Sequence, residues 1–203
     1  MVNVLSYASA VAPHLKDQPD LVAELSDSVV VVVVARLDAF FVDVVSLGTR
    51  HRERTSRRHF AKCGEPSARS CDLRTVVKLV SRCVSFEDGG KRLDNLFKLM
   101  FLCSVWPSAQ VRDSILDLVL LRNLIVHSAG NDWSQDGVTP AAYAPQFRKA
   151  DVLDVRRYGD LAVYEVDRFR ALLFVKEAAL AVVEQLRYLE ARLVRDMSWA
   201  DSD

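Results

Sequence analysis

Glycine and proline are scarce in this sequence, with seven and six copies among 203 residues. So few turn-forming residues argue against a collagen-like repeat and against an all-β sandwich, which needs many tight turns. Because half of the residues are hydrophobic, a disordered chain is excluded as well. A chain of this length can bury a continuous core, so we expect one mainly α-helical domain over residues 1–203.

An excess of charge of one sign is also missing, because 27 Lys and Arg residues balance 27 Asp and Glu residues. Any attraction to nucleic acid or to an anionic membrane must therefore be local. The valine run at 29–34 is far shorter than the ~20 apolar residues of a membrane-spanning helix. No cation precedes the apolar residues 1–12, as a signal peptide would require. We expect a soluble protein that does not bind membranes.

The cysteine pairs of a typical zinc or disulfide framework are absent too. The four cysteines are Cys63, Cys71, Cys83 and Cys103, without a Cys-x-x-Cys pair. Two of them, taken with His51 and His59, fit no standard zinc spacing, so we expect no metal and no other cofactor. Free thiols are typical of a reducing compartment, which predicts a cytoplasmic protein. The sequence also lacks a phosphate-binding glycine loop and a His-Glu-x-x-His motif, which disfavours the common nucleotide hydrolases.

Apolar residues recur at helical spacing over most of the chain. This periodicity predicts helices at 21–47, 72–86, 91–103, 109–128 and 168–195. Asp20 can cap the first of these helices and Gly48 can end it, whereas Asp167 can cap the last. In the last helix the predicted core stripe is Phe169, Leu172, Leu173, Lys176, Ala179, Leu180, Val183, Leu186 and Leu193.

The chain between the last two predicted helices has no helical periodicity. Residues 130–150 contain glycine and proline and are predicted to form an ordered loop. Residues 152–166 alternate between apolar and polar side chains around a central Tyr-Gly-Asp, which predicts a β-hairpin. The predicted fold is all-α in its main features, a helical bundle with one small β-hairpin before the C-terminal helix.

Three polar residues interrupt the apolar helix predicted at 109–128. At 100° per residue, Arg122 falls in the middle of an apolar stripe that begins at Val111. A cation there costs several kcal/mol unless it is paired or lines a cleft. Asn123 and His127 follow one turn apart on one face, so their side chains can touch.

A purely structural interpretation of these residues stays open. Arg122 could pair with a core carboxylate such as Asp38 or Asp43. Asn123 could then cap a backbone group, and His127 could be a satisfied neutral imidazole. The protein would in that case be a helical scaffold without a catalytic site.

The run LRNLIVHSAG at 121–130 resembles the Arg-x4-6-His motif of the HEPN (higher eukaryotes and prokaryotes nucleotide-binding) superfamily. Chance alone gives about one such spacing in a chain of this composition, and Arg52 and Arg54 also precede His59 at allowed distances. Those two pairs lack the asparagine that follows Arg122 and the apolar helical frame around it. With its long early helix and its closing helix, the chain is similar to HEPN domains of prokaryotic toxin and defence systems, including the RiboL-PSP-like branch.

The resemblance implies a metal-independent endoribonuclease with Arg122, Asn123 and His127 as catalytic residues. It also implies a toxin or antiphage-defence effector, controlled by an antitoxin or another regulatory protein. Cleavage of RNA by its own 2′-hydroxyl needs a base, an acid and positive charge near the phosphorane, which imidazole and guanidinium groups can supply. The alternative is a non-catalytic HEPN-like module that binds a nucleotide, a nucleic acid or a protein partner.

One helix alone does not direct Arg122 and His127 at a single atom, because they lie about 140° apart around its axis. A second copy of the chain across a two-fold axis would bring two of each residue into one cleft. That arrangement would supply the acid and the base that one histidine cannot provide at the same time. We therefore expect a homodimer with a composite site.

A basic segment at 50–62 carries six cations against Glu53. Together with two arginines of the predicted hairpin, it supplies candidate RNA contacts. These candidates are Arg52, Arg54, Arg57, Arg58, Arg156 and Arg157. The simpler interpretation, a solvated helix face, stays open because Phe60 is the only aromatic residue of the segment that could stack on a base.

Overall fold

The computed structural model describes residues 10–15, 17–62, 71–86, 88–128, 131–132, 152–158 and 161–198. Its six long helices are α1 Pro19–His51, α2 Glu53–Lys62, α3 Leu73–Ser81, α4 Lys91–Phe101, α5 Ala109–Ser128 and α6 Arg168–Ser198. A 3-10 turn, Ala12–Leu15, precedes α1, and β1 Asn131–Asp132, β2 Leu153–Tyr158 and β3 Leu161–Val166 lie between α5 and α6. The predicted class, mainly helical with a hairpin before the last helix, is confirmed. Within these ranges no helix combines the length and hydrophobicity needed to cross a bilayer.

The chain divides into two compact units. The first unit consists of Met1–Arg36 and Gln110–Val183, and the second of Leu37–Ala109 and Glu184–Asp203. Helices α1 and α6 therefore contribute residues to both. The prediction of a single domain over the whole chain stays a prediction.

The core of the first unit includes the valine run at 29–34. Four of these six valines are buried within α1, although β-branched residues favour strands when packing does not decide. Helix α5 adds Val111, Ile115, Leu118, Leu121 and Leu124, all buried. Burial of these apolar side chains on a helical period outweighs the weak strand preference of valine.

The small sheet of the first unit has three strands in the order β1-β3-β2, all antiparallel. In the hairpin Leu153 lies opposite Val166 and Tyr158 opposite Leu161, as the alternation of the sequence predicts. Strand β1 corrects the prediction of a loop from residue 130 onward, because Asn131 pairs with Glu165 of β3. Two polar residues are too short a run to show the strand period, so only the pairing reveals this strand.

The three predicted helix ends meet different outcomes. Asp20 does not precede α1 as a cap, because that helix begins one residue earlier, at Pro19. Asp167 caps α6 as predicted, since its Oδ1 accepts a hydrogen bond of 3.0 Å from the backbone N–H of Arg170. The prediction that Gly48 ends the first helix is wrong, because α1 continues through it to His51. Gly48 is buried instead, and a β-carbon at this position would clash with the ring of Phe101. Its missing side chain allows close packing, not a turn.

The predicted core stripe of the last helix is also wrong in part. Phe169, Leu173 and Leu180 are exposed by 41%, 49% and 74%. Leu172 is buried as predicted, and the other buried residues of the helix are Ala171, Phe174, Val175, Ala178, Val182, Gln185 and Leu189. The helix has apolar residues on two faces, and packing buries only one of them.

An aromatic cluster forms the core of the second unit. The buried ring of Phe41 lies 5.7 Å from Phe86, 6.1 Å from Phe97 and 6.5 Å from Trp106, each with an edge-to-face geometry. Such pairs add about 0.5–1.5 kcal/mol each beyond the area they bury.

Polar contacts hold the segment between α4 and α5 in place. Oδ1 of Asp94 accepts hydrogen bonds from Ser104 Oγ at 2.6 Å and from the backbone N–H of Val105 at 2.9 Å. From α6, the hydroxyl of Tyr188 donates to the Ser104 carbonyl and Nε2 of Gln185 donates to the Val105 carbonyl. These bonds satisfy the buried backbone of a segment that has no regular secondary structure.

Candidate functional site

Helix α5 carries a buried apolar stripe that reaches solvent at Arg122. Val111, Ile115 and Leu118 are buried almost completely, and Arg122 continues the same stripe but is only partly buried. The guanidinium therefore lies at the edge of the apolar core, not in its middle. Desolvation of the charge is correspondingly smaller than for the fully buried cation that the helical wheel predicts.

The side chain of Arg122 contacts its neighbour Asn123. Nη1 of Arg122 donates a hydrogen bond of 2.9 Å to Oδ1 of Asn123. A guanidinium has only donors, so the amide atom that faces it must be the oxygen. The Nδ2 group of Asn123 is then directed away from Arg122 and retains its own two donors.

The described part of the first unit offers Arg122 no acidic partner. Among the described residues of the first unit, no carboxylate forms an ion pair with its guanidinium. Pairing of Arg122 with Asp38 or Asp43, the structural interpretation of the sequence, stays a prediction, because these two aspartates belong to the second unit. A partly buried arginine held by a neutral amide keeps its full formal charge and its remaining N–H donors.

Asp117 is a buried carboxylate that the sequence analysis overlooked. It is fully buried on α5 and takes part in a polar interaction. The signal in the sequence is a lone aspartate between Leu116 and Leu118, both of which are buried. On a regular helix Asp117 is directed about 140° away from Arg122, so the two residues occupy different faces of α5.

His127 lies in the last turn of α5, which ends at Ser128. This backbone position agrees with the predicted helix at 109–128. The side chain of His127 is outside the described residues.

The junction of α1 and α2 brings several of the predicted RNA contacts together. It forms a concavity of about 660 Å³. Its lining residues are Arg50, His51, Arg52, Glu53, Arg54, Thr55 and Arg57. Arg52, Arg54 and Arg57 of the prediction are thus neighbours, and Arg50 is an addition that the prediction omitted. Arg58 is exposed but does not line the concavity.

Arg57 differs from the other arginines of this concavity, because its guanidinium is already bound. Nε and Nη2 lie 2.7 Å and 2.6 Å from Oε1 of Glu53. Nη1 donates to the carbonyl oxygen of Cys71, at 2.5 Å. Arg57 therefore links the first turn of α2 to the chain that precedes α3.

The remaining two candidate RNA contacts belong to the sheet. Arg156 and Arg157 lie in β2, opposite Val163 and Ala162 of β3. Their side chains are outside the described residues.

The described residues contain no group of three or more His, Cys, Asp and Glu side chains that could hold a metal ion. Cys71, Cys83 and Cys103 form no disulfide bond. No protein-family model, no curated protein and no solved structure matches this chain. The resemblance to the HEPN superfamily therefore rests on the sequence itself, above all on the residues at 121–130.

Proposed function

We propose that this protein is a metal-independent endoribonuclease whose Arg122, Asn123 and His127 act on the scissile phosphodiester. One observation carries the proposal. Arg122 lies at the edge of the buried stripe of α5 and is held by the neutral amide of Asn123, without an acidic partner among the described residues of its unit. A guanidinium in this state can bind a phosphate through two parallel hydrogen bonds.

The reaction assigned to these residues is intramolecular transesterification of RNA. The 2′-oxygen attacks the adjacent phosphorus while its proton passes to a base. The bond between phosphorus and the 5′-oxygen then breaks, and an acid protonates the leaving oxygen. The products are a 2′,3′-cyclic phosphate and a 5′-hydroxyl. No metal enters the scheme, because the arginine opposes the negative charge of the phosphorane.

We assign the acid and base roles to two copies of His127. One imidazole titrates near neutral pH but cannot donate and accept a proton in the same step. A homodimer that brings both copies of α5 to one cleft supplies both groups, together with two guanidinium groups. Sedimentation of the active protein tests this part of the proposal, since an active and strictly monomeric protein would contradict it.

The decisive experiment is cleavage of total RNA by the purified protein in EDTA. Arg122→Ala and His127→Ala should each abolish cleavage while retaining the wild-type melting temperature. Arg112→Ala is the matched control, because Arg112 lies on the same helix and pairs on the surface with Asp113. Cyclic-phosphate ends identify the reaction. Cleavage that requires a divalent metal, or that survives both substitutions, contradicts the proposal.

The biological role that accompanies this activity is a cytoplasmic toxin or antiphage effector, held in check by an antitoxin or another regulatory protein. It follows from the resemblance at 121–130 and not from chemistry. Expression of the wild-type chain should arrest growth, whereas the double variant Arg122→Ala/His127→Ala should not.

A second candidate function is RNA binding without cleavage. The concavity at the junction of α1 and α2 favours it, because this concavity gathers cations that could hold a phosphate backbone without any catalytic group. A wild-type protein that binds RNA but never cuts it, under conditions where it is folded, would favour this module over the nuclease.

A further inference from the structure

We infer that the concavity at the junction of α1 and α2 binds the phosphodiester backbone of RNA through Arg50, Arg52 and Arg54. In this site Arg57 is a positioning residue and not a phosphate ligand. The inference deepens the proposed function, because it takes RNA as the ligand. It depends on different residues, in the second unit of the chain.

The described lining of the concavity carries more positive than negative charge. Of the lining residues that the structure describes, Glu53 alone is acidic, and Arg57 binds it through two nitrogen atoms at 2.7 Å and 2.6 Å. Among the described residues of the second unit, none forms an ion pair with Arg50, Arg52 or Arg54. Three cations that lack an acidic partner in the described part of this unit repel each other and attract a polyanion.

The guanidinium of Arg57 is already bound within the protein. Each of its three guanidinium nitrogens already has a partner, in Glu53 or in the carbonyl of Cys71. The ion pair keeps the carboxylate of Glu53 occupied, so that it does not compete with a phosphate for the other arginines. Loss of the Arg57 side chain would free a negative charge inside the concavity.

The size and the lining of the concavity indicate which part of an RNA it would contact. At about 660 Å³ it can hold more than one phosphate group, and no Phe, Tyr or Trp is among the described residues that line it. The neighbouring cavity, of about 70 Å³, shares His51 and Arg52 but is otherwise apolar. Its aromatic residue, Phe101, is buried against Gly48 and cannot stack on a base. Recognition without exposed aromatic side chains depends on the backbone, so we expect little sequence preference.

Equilibrium binding tests this inference separately from cleavage. The protein used is the full chain with His127→Ala, and the probes are labelled poly(A) and poly(U) of about 20 nucleotides, longer than the site sizes common for single-strand binding. Affinity is measured over a range of salt concentrations. For single strands, each lost phosphate contact lowers the slope of log K against log salt by about 0.7.

The triple variant Arg50→Ala/Arg52→Ala/Arg54→Ala should lower this slope by roughly 2, for both probes. The matched control replaces three exposed arginines elsewhere, Arg36, Arg92 and Arg187, and removes the same net charge. If both triple variants bind with the same affinity and slope, the inference is overturned. It is also overturned if one of the two probes binds much more tightly than the other and the triple variant loses that difference.

The positioning role of Arg57 has a test of its own. Arg57→Ala should weaken RNA binding, and addition of Glu53→Gln should restore it, because the amide no longer competes with phosphate. If Glu53→Gln does not restore binding to the Arg57→Ala protein, Arg57 contacts phosphate or stabilises the fold instead, and the positioning role is overturned. Binding with the expected salt slope by a protein that never cuts RNA would refute the nuclease and leave the binding site intact. If the triple variant cleaves RNA and binds it as the wild type does, the binding site is refuted and the nuclease is retained.

Discussion

Arg122 donates a hydrogen bond of 2.9 Å to Oδ1 of its immediate neighbour Asn123. Adjacent residues on a helix project about 100° apart, and the long arginine side chain bridges that separation. The partner is a neutral amide at a position where a partly buried arginine commonly has a carboxylate. Among the described residues of its unit no carboxylate cancels the charge of Arg122, and electrostatic stabilisation of a phosphorane requires such an uncancelled charge.

Asn123→Asp tests whether this neutrality matters. The carboxylate has the shape of the amide and should form an ion pair with Arg122, so that stability is retained or rises by about 0–1 kcal/mol. Cleavage should fall by a factor on the order of 10², as when one stabilising donor is lost from an active site. The measurements are initial rates in EDTA and urea unfolding curves. Full activity in a folded Asn123→Asp protein would show that the charge of Arg122 need not remain uncompensated.

Gly89 and Gly90 share a backbone conformation but differ in their surroundings, so alanine should affect them differently. Both have left-handed backbones, with φ of 68° and 73°, so alanine at either position should cost about 1–2 kcal/mol. At Gly90 the new β-carbon would also lie 2.6 Å from Cζ2 of Trp106, whereas at Gly89 it would meet nothing. Gly90→Ala should therefore be more destabilising than Gly89→Ala by about 1–3 kcal/mol in urea unfolding. Equal losses would mean that Trp106 moves aside without cost.

The helices were predictable because apolar periodicity is a local property of the sequence. The span predicted at 109–128 coincides with α5, and the side chain of Asp167 caps α6 as its position suggests. The exposed face of α6 was not predictable in the same way. Leucines occur on two faces of this helix, and only the packing partners decide which face is buried.

The candidate site was predictable only in its composition. Helical spacing places Arg122 on the stripe that begins at Val111, but it does not show where that stripe reaches solvent. The contact between Arg122 and Asn123 depends on side-chain rotamers, which a helical wheel ignores. Likewise the basic segment is evident as charge, whereas the bonds that occupy Arg57 depend on the backbone of Cys71, fourteen residues away.

Gly48→Ala is a third prediction, in which two effects oppose each other. In a helix interior alanine is favoured over glycine by about 1 kcal/mol. The added methyl group would clash with the ring of Phe101, which is buried and cannot turn towards solvent. We expect a net loss of stability of about 1–3 kcal/mol, the usual cost of overpacking. The double variant Gly48→Ala/Phe101→Leu should be less destabilised than the sum of the single changes, and strict additivity would contradict the clash.

The carboxyl group of Asp94 should make the free energy of unfolding depend on pH. Burial alone would raise its pKa, but hydrogen bonds from Lys98, Ser104 and the Val105 backbone outweigh that effect and hold the pKa below its ordinary value. Because the folded state binds the proton more weakly than the unfolded state, the ionised carboxylate stabilises the fold above the unfolded-state pKa. That contribution disappears as the pH falls through the lower, folded-state value.

Asp94→Asn should therefore be destabilised at neutral pH by about 1–3 kcal/mol, because the amide cannot accept all of these hydrogen bonds and its Nδ2 group faces a cation. The difference from the wild type should shrink as the pH falls below the unfolded-state pKa, about 3.9 for Asp. Urea unfolding across this pH range measures it. The matched control is Asp43→Asn, at an exposed carboxylate of the same unit to which no described residue donates a hydrogen bond. A stability difference for Asp94→Asn that stays constant with pH would mean that the charge of Asp94 contributes nothing beyond its shape.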